Sequence, residues 1–202
     1  MGIICFIRHG QTDWNVKSLT QGREDIPLNK TGIEQARIAS SDLAMALKRT
    51  GFSFDRIYSS PLSRASDTAN MLSQAIGNIP VIIDNRLIER DFGNLSGVYY
   101  DKNSLAVLRD VTDTTVESRQ SMIDRVNSLI RDEVKEQDNV LFVTHGAITR
   151  IYAIHAKKGE SVAENEIGIM GNCSLVAYKY DGNEPILVGY DISPSDFDVE
   201  EL

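Results

Sequence analysis

Short runs of consecutive apolar residues alternate along this chain with longer stretches of helical periodicity. Apolar runs without alternating polar residues are typical of strands buried on both faces, as in parallel sheets covered by helices. We therefore expect an α/β fold, a three-layer α/β/α sandwich with a mostly parallel central sheet and helices on both faces. The predicted strands cover residues 3–7, 56–59, 81–83, 139–144, 175–180 and 186–190. The predicted helices cover residues 31–49, 60–77, 118–136 and 147–156.

Local signals place the ends of the first two helices. Thr31 and Glu34 have the spacing of a capping box, so the first helix is expected to begin there and to end at Gly51. Ser60 is expected to cap the second helix, with Pro61 in its first turn. The C-terminal segment SPSDFDVEEL is acidic, and we expect it to be loosely held.

Composition favours a soluble globular protein and argues against some partners. The 202 residues suit one domain spanning 1–202. The net charge of −8 argues against nucleic acid and anionic membranes, since both favour a basic surface. The N-terminal apolar run is too short to span a bilayer and lacks the layout of a signal peptide, so we expect a cytoplasmic protein. Cys5 and Cys173 lie in apolar contexts that predict buried thiols, with a single disulfide as the alternative.

Two of the three histidines follow apolar runs in matching contexts. His9 comes after the run 3–7 in IRHG, and His145 follows the run 140–143 in VTHG. Ligands of open α/β sheets bind beyond the carboxyl ends of the strands, so both histidines are expected at one functional edge. His155 lies near the C-terminus of a predicted helix, where a cation is favoured, and is interpreted as an ordinary helix residue.

Charged side chains accompany these two histidines. Arg8 directly precedes His9, and Arg64 lies in the first turn of a predicted helix, where the helix dipole disfavours positive charge. A planar guanidinium is suited to paired hydrogen bonds with phosphate oxygens. Glu89 follows the short strand 81–83 and adds a carboxylate. Taken singly, these residues also fit an ordinary interpretation as surface arginines and a solvated carboxylate.

Five motifs occur in order and cover most of the chain: RHGQT, QGREDIPLNKTGIEQA, SSPLSRASDTA, LIERDFGNLSG and VTHG. Together they resemble the signature segments of the histidine phosphatase superfamily, the phosphoglycerate-mutase-like group. The resemblance implies an enzyme that transfers a phosphoryl group of a small phosphorylated substrate. It is specific because the five segments match jointly, whereas each one alone is a weak signal.

The resemblance also implies a role for each charged residue. His9 would attack phosphorus and become phosphohistidine, and Glu89 would protonate the leaving oxygen and then help to activate water. Three groups would hold the phosphoryl oxygens: Arg8, Arg64 and His145. Four further residues would complete the substrate pocket: Asn15, Gln21, Gly22 and Gly146. Positive charge spread around the phosphoryl oxygens can act without a metal, and no Asp and His cluster has metal-ligand spacing, so we expect no metal and no cofactor.

The superfamily contains phosphatases and mutases, and residues 97–117 favour a phosphatase. Mutases resemble one another in a long insertion here with paired arginines, whereas this stretch is short and its basic residues are Lys102 and Arg109. Phe92 stands where mutases have tyrosine, although Arg90 is a mutase-like feature. We expect a phosphomonoesterase that hydrolyses small phosphorylated metabolites through phosphohistidine. The alternative is a bisphosphoglycerate-dependent phosphoglycerate mutase.

Two other classes of protein fit the residues less well. A catalytically inactive binding protein on this fold would lack the nucleophile or the arginine clamp, and both are present. A metal-binding protein using His9 and His145 would need further histidine or cysteine ligands at suitable spacing, which the sequence does not supply.

Aromatic and apolar residues near the motifs suggest what the pocket mouth accepts. Four of them are candidates for its lining: Trp14, Val98, Tyr99 and Tyr100. Such a lining would suit a substrate with a sugar or an apolar part, and the alternative is that these side chains pack locally.

Overall fold

The computed structural model describes residues 1–100, 113–157 and 167–202. Within these ranges six strands form one mixed sheet: β1 (Gly2–Arg8), β2 (Arg56–Ser59), β3 (Val81–Ile83), β4 (Val140–Thr144), β5 (Leu175–Tyr180) and β6 (Ile186–Ile192). The strand order is β3-β2-β4-β1-β5-β6. The first four strands in this order run parallel, and β5 and β6 extend the sheet antiparallel. The expected α/β fold with a mostly parallel sheet is confirmed.

Helices cover both faces of the sheet. The α-helices of the described residues are α1 (Asp13–Val16), α2 (Lys30–Thr50), α3 (Ser63–Ala75), α4 (Arg119–Glu133) and α5 (Gly146–Ala156). Successive side chains of β1 point to opposite faces, as strand geometry requires. Phe6 lies in a buried cluster with side chains of α4 and α5, and Cys5 and Ile7 lie in the cluster with α2 and α3. Both faces of the central strands therefore pack in the apolar core, and the polar site residues lie at the ends of the strands.

The start of α2 differs from the predicted one. Asn29 caps the helix, because its side chain accepts a hydrogen bond from the backbone N–H of Gly32 at 2.8 Å. Thr31 and Glu34 already lie inside the helix, so the predicted capping box is wrong. The predicted end of the helix at Gly51 is confirmed, since this glycine is the C-cap in the left-handed conformation.

The start of α3 also lies later than predicted. The N-cap residue is Leu62, and no side chain caps it. The Ser60 hydroxyl does accept a hydrogen bond from the Leu62 N–H at 3.3 Å, but it also lies 2.7 Å from a ring nitrogen of His145. The predicted cap at Ser60 is therefore wrong. Ser60 lies before the N-cap residue, and its hydroxyl contacts His145 at the edge of the sheet.

The C-terminal segment is held against the body of the protein. Phe197 is fully buried, with its ring centroid 5.7 Å from that of Phe52 and 6.1 Å from that of Phe54. Arg49 donates a hydrogen bond from Nη2 to the Phe197 carbonyl at 3.0 Å. The expectation of a loosely held tail is wrong because this one aromatic side chain is buried in the core beside α2.

The two cysteines are free and buried, as predicted. Burial raises the pKa of Cys5, and it raises the pKa of Cys173 to about 12. Both thiols are therefore protonated at neutral pH. No helix within the described ranges is long and apolar enough to cross a bilayer.

Candidate active site

The two predicted histidines meet at the carboxyl ends of β1 and β4. These strands are parallel neighbours, and Arg8 at the end of β1 pairs with Thr144 at the end of β4. The His9 N–H donates to the Thr144 carbonyl at 3.0 Å, which extends the register by one residue. The ring centroids of His9 and His145 consequently lie 5.1 Å apart, and both side chains are buried.

The His9 ring is held in one tautomer by its two hydrogen bonds. Nδ1 lies 2.6 Å from the Gly10 carbonyl oxygen, which only accepts, so Nδ1 carries the proton. Nε2 accepts a hydrogen bond from Nε of Arg64 at 3.2 Å, so Nε2 is the unprotonated nitrogen and carries the lone pair of the ring. Burial lowers the pKa of His9 well below its usual value, and the charges of Arg64 and Arg8 lower it further. Nε2 is thus unprotonated and the ring is neutral at physiological pH.

Arg64 is fully buried in the first turn of α3 and connects His9 to a neighbouring loop. Its Nη1 donates to the Glu24 carbonyl at 2.7 Å, and its Nη2 donates to the Gly22 carbonyl at 2.9 Å. Gly22 has φ of +52°, a left-handed conformation that glycine adopts without strain. Burial lowers the pKa of Arg64 to about 10, so the guanidinium keeps its charge at neutral pH.

Arg8 is also buried, and it lines the same cavity as His9. Its Nη1 donates to the Met170 carbonyl at 2.6 Å, and burial lowers its pKa. A Cβ placed on Gly146 would lie 3.3 Å from Nε of Arg8, so the glycine leaves room for the guanidinium at the start of α5. The arginine and the glycine together form one wall of the site.

Glu89 lies between the strand ends and the start of α5, with 7% of its surface exposed. Its Oε1 accepts from the Arg90 backbone N–H at 2.8 Å, and its Oε2 accepts from the Ala147 N–H at 3.2 Å. Two backbone donors therefore fix the orientation of the carboxyl group beside the histidines.

His145 has a partner that sequence reasoning missed. Its Nε2 lies 2.7 Å from the Ser60 hydroxyl, and within the described residues its buried Nδ1 has no hydrogen-bond partner. Burial and the charge of Arg64 lower the pKa of His145 well below its usual value. The sequence signal for Ser60 is the SSPL motif, in which local rules predict a helix cap and not a partner for His145.

Asn15 and Gln21 are held by one threonine. The side-chain hydroxyl of Thr12 accepts from the Asn15 N–H at 3.2 Å, and the Asn15 Oδ1 accepts from the Thr12 N–H at 3.0 Å. The same hydroxyl lies 2.9 Å from Oε1 of Gln21. Both amide side chains therefore have fixed positions at the edge of the site.

These groups surround a cavity of about 130 Å³. Seven of the predicted site residues line it: Arg8, His9, Asn15, Gln21, Arg64, Glu89 and Gly146. The other two, His145 and Gly22, do not line the cavity but contact residues that do. The His145 ring packs against the His9 ring, and the Gly22 carbonyl accepts a hydrogen bond from Arg64.

Apart from Tyr100, a candidate for the pocket mouth, the other lining residues were not predicted at the site. Two further arginines, Arg119 on α4 and Arg150 on α5, face the cavity together with Arg90. The apolar and aromatic part of the lining consists of Leu19, Phe92, Tyr100, Ala147, Ile151 and Ile169.

The proposed mouth residues are only partly at the cavity. Tyr100 lines it, whereas Val98 and Tyr99 are exposed and Trp14 packs beside Gly97. Lys102 and Arg109 lie outside the described residues. Within the described ranges, no group of three or more His, Cys, Asp or Glu side chains is arranged to hold a metal ion.

An α/β sheet whose carboxyl edge presents a neutral histidine among buried arginines has the features of a class of protein that binds anions at this edge. More particularly, the chain belongs to the histidine phosphatase superfamily, whose branch 1 sequence model matches residues 4–193. The resemblance of the five motifs is thereby confirmed.

Relatives in this superfamily include phosphatases and mutases. The Bacillus subtilis protein named "Uncharacterized phosphatase PhoE" is 32% identical over 158 residues, which cover 77% of this chain and 75% of that protein. A 2,3-bisphosphoglycerate-dependent phosphoglycerate mutase of Mesorhizobium japonicum is 31% identical over 183 residues, covering 82% of this chain and 87% of the mutase.

Two of the similar solved structures are phosphatases. The mycobacterial glucosyl-3-phosphoglycerate phosphatase complexed with VO3 has a TM-score of 0.78 at 28% identity, with coverage of 96% and 100%. The phosphoserine phosphatase of Entamoeba histolytica in complex with 3-phosphoglyceric acid has a TM-score of 0.74 at 26% identity, with 100% coverage of both chains. The chain is therefore an enzyme of the histidine phosphatase superfamily with phosphatases among its structural neighbours.

Proposed function

We propose that this protein is a phosphomonoesterase that hydrolyses small phosphate esters through a phosphohistidine on His9, without a metal. The observation that carries the proposal is the state of His9. Its Nδ1 proton is donated to the Gly10 carbonyl, so Nε2 offers a lone pair beside the Arg64 guanidinium. Nucleophilic catalysis requires a base that is unprotonated at working pH and held in a fixed orientation.

In the first step Nε2 of His9 attacks phosphorus, and the bond between phosphorus and the ester oxygen breaks. The leaving oxygen takes a proton from the Glu89 carboxyl group, so an alcohol leaves. The guanidinium groups of Arg8 and Arg64 stabilise the charge on the phosphoryl oxygens, because buried cations act strongly in a site of low dielectric. The products of this step are phosphohistidine, the free alcohol and a Glu89 carboxylate.

In the second step water attacks the phosphorus of phosphohistidine. The Glu89 carboxylate takes a proton from this water, and the bond between phosphorus and Nε2 breaks. Inorganic phosphate leaves, and the lone pair of His9 and the proton of Glu89 are restored. One carboxyl group serves both steps because backbone N–H groups of Arg90 and Ala147 hold it in place.

Two observations favour hydrolysis over the mutase reaction. Both structural neighbours described above are phosphatases. Residues 97–117 are also short compared with the insertion that distinguishes mutases, and Phe92 lines the cavity where mutases have a tyrosine.

The mutase reaction is the second candidate, and Arg90 is the observation that favours it. This side chain lines the cavity, and its Nε donates to the Glu117 carbonyl at 2.9 Å. A mutase must hold a phosphorylated acid while the phosphoryl group is exchanged, and a fixed arginine beside the carboxyl acid suits that task. The relative from Mesorhizobium japonicum is named a phosphoglycerate mutase, which is consistent with this candidate.

The decisive experiment measures phosphate release and phosphoryl transfer in parallel. Purified protein treated with a chelator is incubated with p-nitrophenyl phosphate, sugar phosphates and phosphoglycerates, and the 2- and 3-phosphoglycerate interconversion is followed with bisphosphoglycerate present. We expect phosphate release that a chelator does not reduce and that His9→Ala lowers at least about 10³-fold. His155→Ala is the matched control, because His155 lies at the end of α5 outside the cavity lining.

Rapid interconversion with slow phosphate release would establish the mutase instead. Retention of activity in His9→Ala would contradict the nucleophile, and loss of activity with the chelator would contradict the metal-free mechanism.

A further inference from the structure

Glu117 is a buried carboxylate that the proposed mechanism does not use. It directly precedes Ser118, the N-cap residue of α4, and 7% of its side chain is exposed. Its Oε1 accepts a hydrogen bond from Nε of Arg125 at 2.9 Å, and its Oε2 accepts one from Nη2 of Arg125 at 3.2 Å. Paired hydrogen bonds of this kind are strong and specific in geometry. The Glu117 carboxylate is therefore fixed against α4.

Glu117 is ionised at neutral pH. Burial alone would raise the pKa of its carboxyl group, but the hydrogen bond and the charge of Arg125 outweigh burial and lower the pKa below its usual value. The Asp91 N–H and the charge of Arg23 act in the same direction. A buried charge depends on its partners, so removal of this carboxylate would release every group that it holds.

Glu117 also holds the segment that follows Glu89. Its Oε2 accepts a hydrogen bond from the Asp91 backbone N–H at 3.2 Å, and its own N–H donates to the Asp91 carbonyl at 2.9 Å. The Glu117 carbonyl accepts from Nε of Arg90 at 2.9 Å. Both the side chain and the main chain of Glu117 therefore fix residues 90 and 91.

Arg23 extends this hold to the peptide group between Glu89 and Arg90. Its Nη2 donates to Oε2 of Glu117 at 3.4 Å, and its Nε donates to the Glu89 carbonyl at 3.5 Å. The N–H of the same peptide group donates to Oε1 of Glu89 at 2.8 Å. Because a peptide group is planar, a rotation that moved its carbonyl would also turn the N–H away from the Glu89 carboxyl group.

We propose that Glu117 is a positioning residue for the general acid: through Arg23 and residues 90–91 it fixes the peptide group that orients the Glu89 carboxyl group. The inference rests on the proposed function, in which Glu89 protonates the leaving oxygen. Glu117 is not among the described residues that line the cavity, so it acts through Glu89 and not on the substrate. Proton transfer requires the acid within hydrogen-bond reach of the oxygen, so a small displacement of Glu89 is costly.

The test compares two esters whose leaving groups differ in their need for a proton. Benzyl phosphate must release an alcohol, because the alkoxide is a poor leaving group, whereas p-nitrophenyl phosphate releases a phenolate that its nitro group stabilises. Both esters carry one aromatic ring. A variant that misplaces the acid loses kcat/KM mainly on benzyl phosphate. A variant that only lowers the folded fraction loses equally on both, since both rates are measured on one preparation.

The variants are Glu117→Gln and Glu117→Asp, with Glu89→Gln as the reference for a lost acid. Asp138→Asn is the matched control, because Asp138 forms an ion pair with Arg56 and has 19% of its side chain exposed. Arg56 is the first residue of β2, so this ion pair lies at the amino end of the parallel strands, opposite the site.

We expect Glu117→Gln to lower kcat/KM for benzyl phosphate by about 10- to 100-fold and for p-nitrophenyl phosphate by less than about threefold. Glu89→Gln should show the same selectivity more strongly. Glu117→Asp keeps the charge and should recover part of the loss, and Asp138→Asn should keep the wild-type ratio of the two esters. If Glu117→Gln does not fold, Arg23→Gln makes the same comparison, because 42% of the Arg23 side chain is exposed and its replacement should be tolerated.

An equal loss on both esters in Glu117→Gln, or no loss on either, beside a selective loss in Glu89→Gln would overturn the inference and leave the phosphatase function standing. An equal loss on both esters in Glu89→Gln would overturn the role of Glu89 as the acid, and the inference with it. If the wild-type protein released no phosphate from either ester, the proposed function itself would fail.

Discussion

Nε of Arg64 donates a hydrogen bond to Nε2 of His9 at 3.2 Å, while the other nitrogens of the same guanidinium hold the carbonyls of Gly22 and Glu24. One side chain thus fixes both the proposed nucleophile, His9, and the loop beside it. An arginine has five N–H donors, and these contacts use three of them. As far as the described residues extend, two N–H donors of Arg64 are left for phosphoryl oxygens. Arg64 is therefore suited both to position His9 and to stabilise the proposed transition state.

Arg64→Lys tests this double role. A lysine ammonium can satisfy at most part of the three contacts, and it lacks the planar fork that reaches His9 and the loop together. We expect kcat to fall at least about 100-fold and the free energy of unfolding to fall by about 1–3 kcal/mol, because buried carbonyls lose their donors. Steady-state kinetics and urea unfolding measure the two effects.

Arg37→Lys is the matched control for Arg64→Lys. Arg37 lies on α2 and forms an exposed ion pair with Glu34, so its replacement should change neither quantity appreciably. Wild-type activity in Arg64→Lys would show that Arg64 orients nothing that catalysis requires.

The two buried histidines predict how stability depends on pH. Burial lowers the pKa of His9 and of His145 in the folded protein, whereas in the unfolded chain both have the ordinary value of about 6.5. Below about pH 6.5 the unfolded chain therefore binds protons that the folded protein does not, so stability is lost as pH falls. The slope approaches about 1.4 kcal/mol per pH unit for each histidine, until the lower folded pKa is reached.

Urea unfolding between pH 7.5 and 5.5 measures this slope. His9→Asn and His145→Asn should each remove about half of the slope that the pair contributes, whatever their effect on absolute stability. The same slope in the wild-type protein and both variants would mean that the folded protein binds protons at these rings as readily as the unfolded chain does.

Gly146→Ala separates activity from stability. The added Cβ would lie 3.3 Å from Nε of Arg8, and Arg8 is held on its other side by the Met170 carbonyl at 2.6 Å. The guanidinium must shift by a few tenths of an ångström, so we expect kcat/KM to fall about tenfold. Alanine is also the better helix former, so the thermal midpoint should be unchanged or slightly higher.

Gly168→Ala controls for Gly146→Ala, since a Cβ on Gly168 would have no atom within 4 Å. It should leave kcat/KM unchanged. An active Gly146→Ala protein would show that the position of Arg8 tolerates this shift.

The adjacency of the two histidines could be predicted from the sequence because it follows from topology. His9 and His145 each follow an apolar strand, and parallel strands place their carboxyl ends at one edge. The resemblance of the motifs then supplied Arg8, Arg64 and Glu89, which the structure brings to the same place.

Features that depend on long-range packing could not be predicted in this way. The partner of His145 is Ser60, which local rules interpreted as a helix cap. Arg119 lines the cavity from the first turn of α4, and although the sequence predicts a helix from residue 118, its periodicity does not indicate that Arg119 faces the carboxyl edge of the sheet. Phe197 is buried although its neighbours in the sequence are acidic, because Phe52 and Phe54 surround it in space.

Substitutions of Tyr99 and Tyr100 together test which residues contact the substrate at the pocket mouth. Both were candidates for its mouth, but Tyr100 lines the cavity and Tyr99 has 64% of its surface exposed. Burial lowers the pKa of Arg8 and the neighbouring Tyr100 opposes this shift, which is consistent with the Tyr100 side chain lying close to that guanidinium. Tyr100 should therefore contact the alcohol part of the ester, and Tyr99 should not.

We expect Tyr100→Ala to change the ratio of kcat/KM for p-nitrophenyl phosphate to that for ethyl phosphate by about 2- to 12-fold, the range of one aromatic contact. The ratio should fall, because the aromatic ester loses a contact that the small ester never makes. Tyr99→Ala should leave the ratio unchanged, since its ring faces solvent. An equal loss on both esters in Tyr100→Ala would mean that the ring supports the site without contacting the substrate, and a changed ratio in Tyr99→Ala would place the pocket mouth further out.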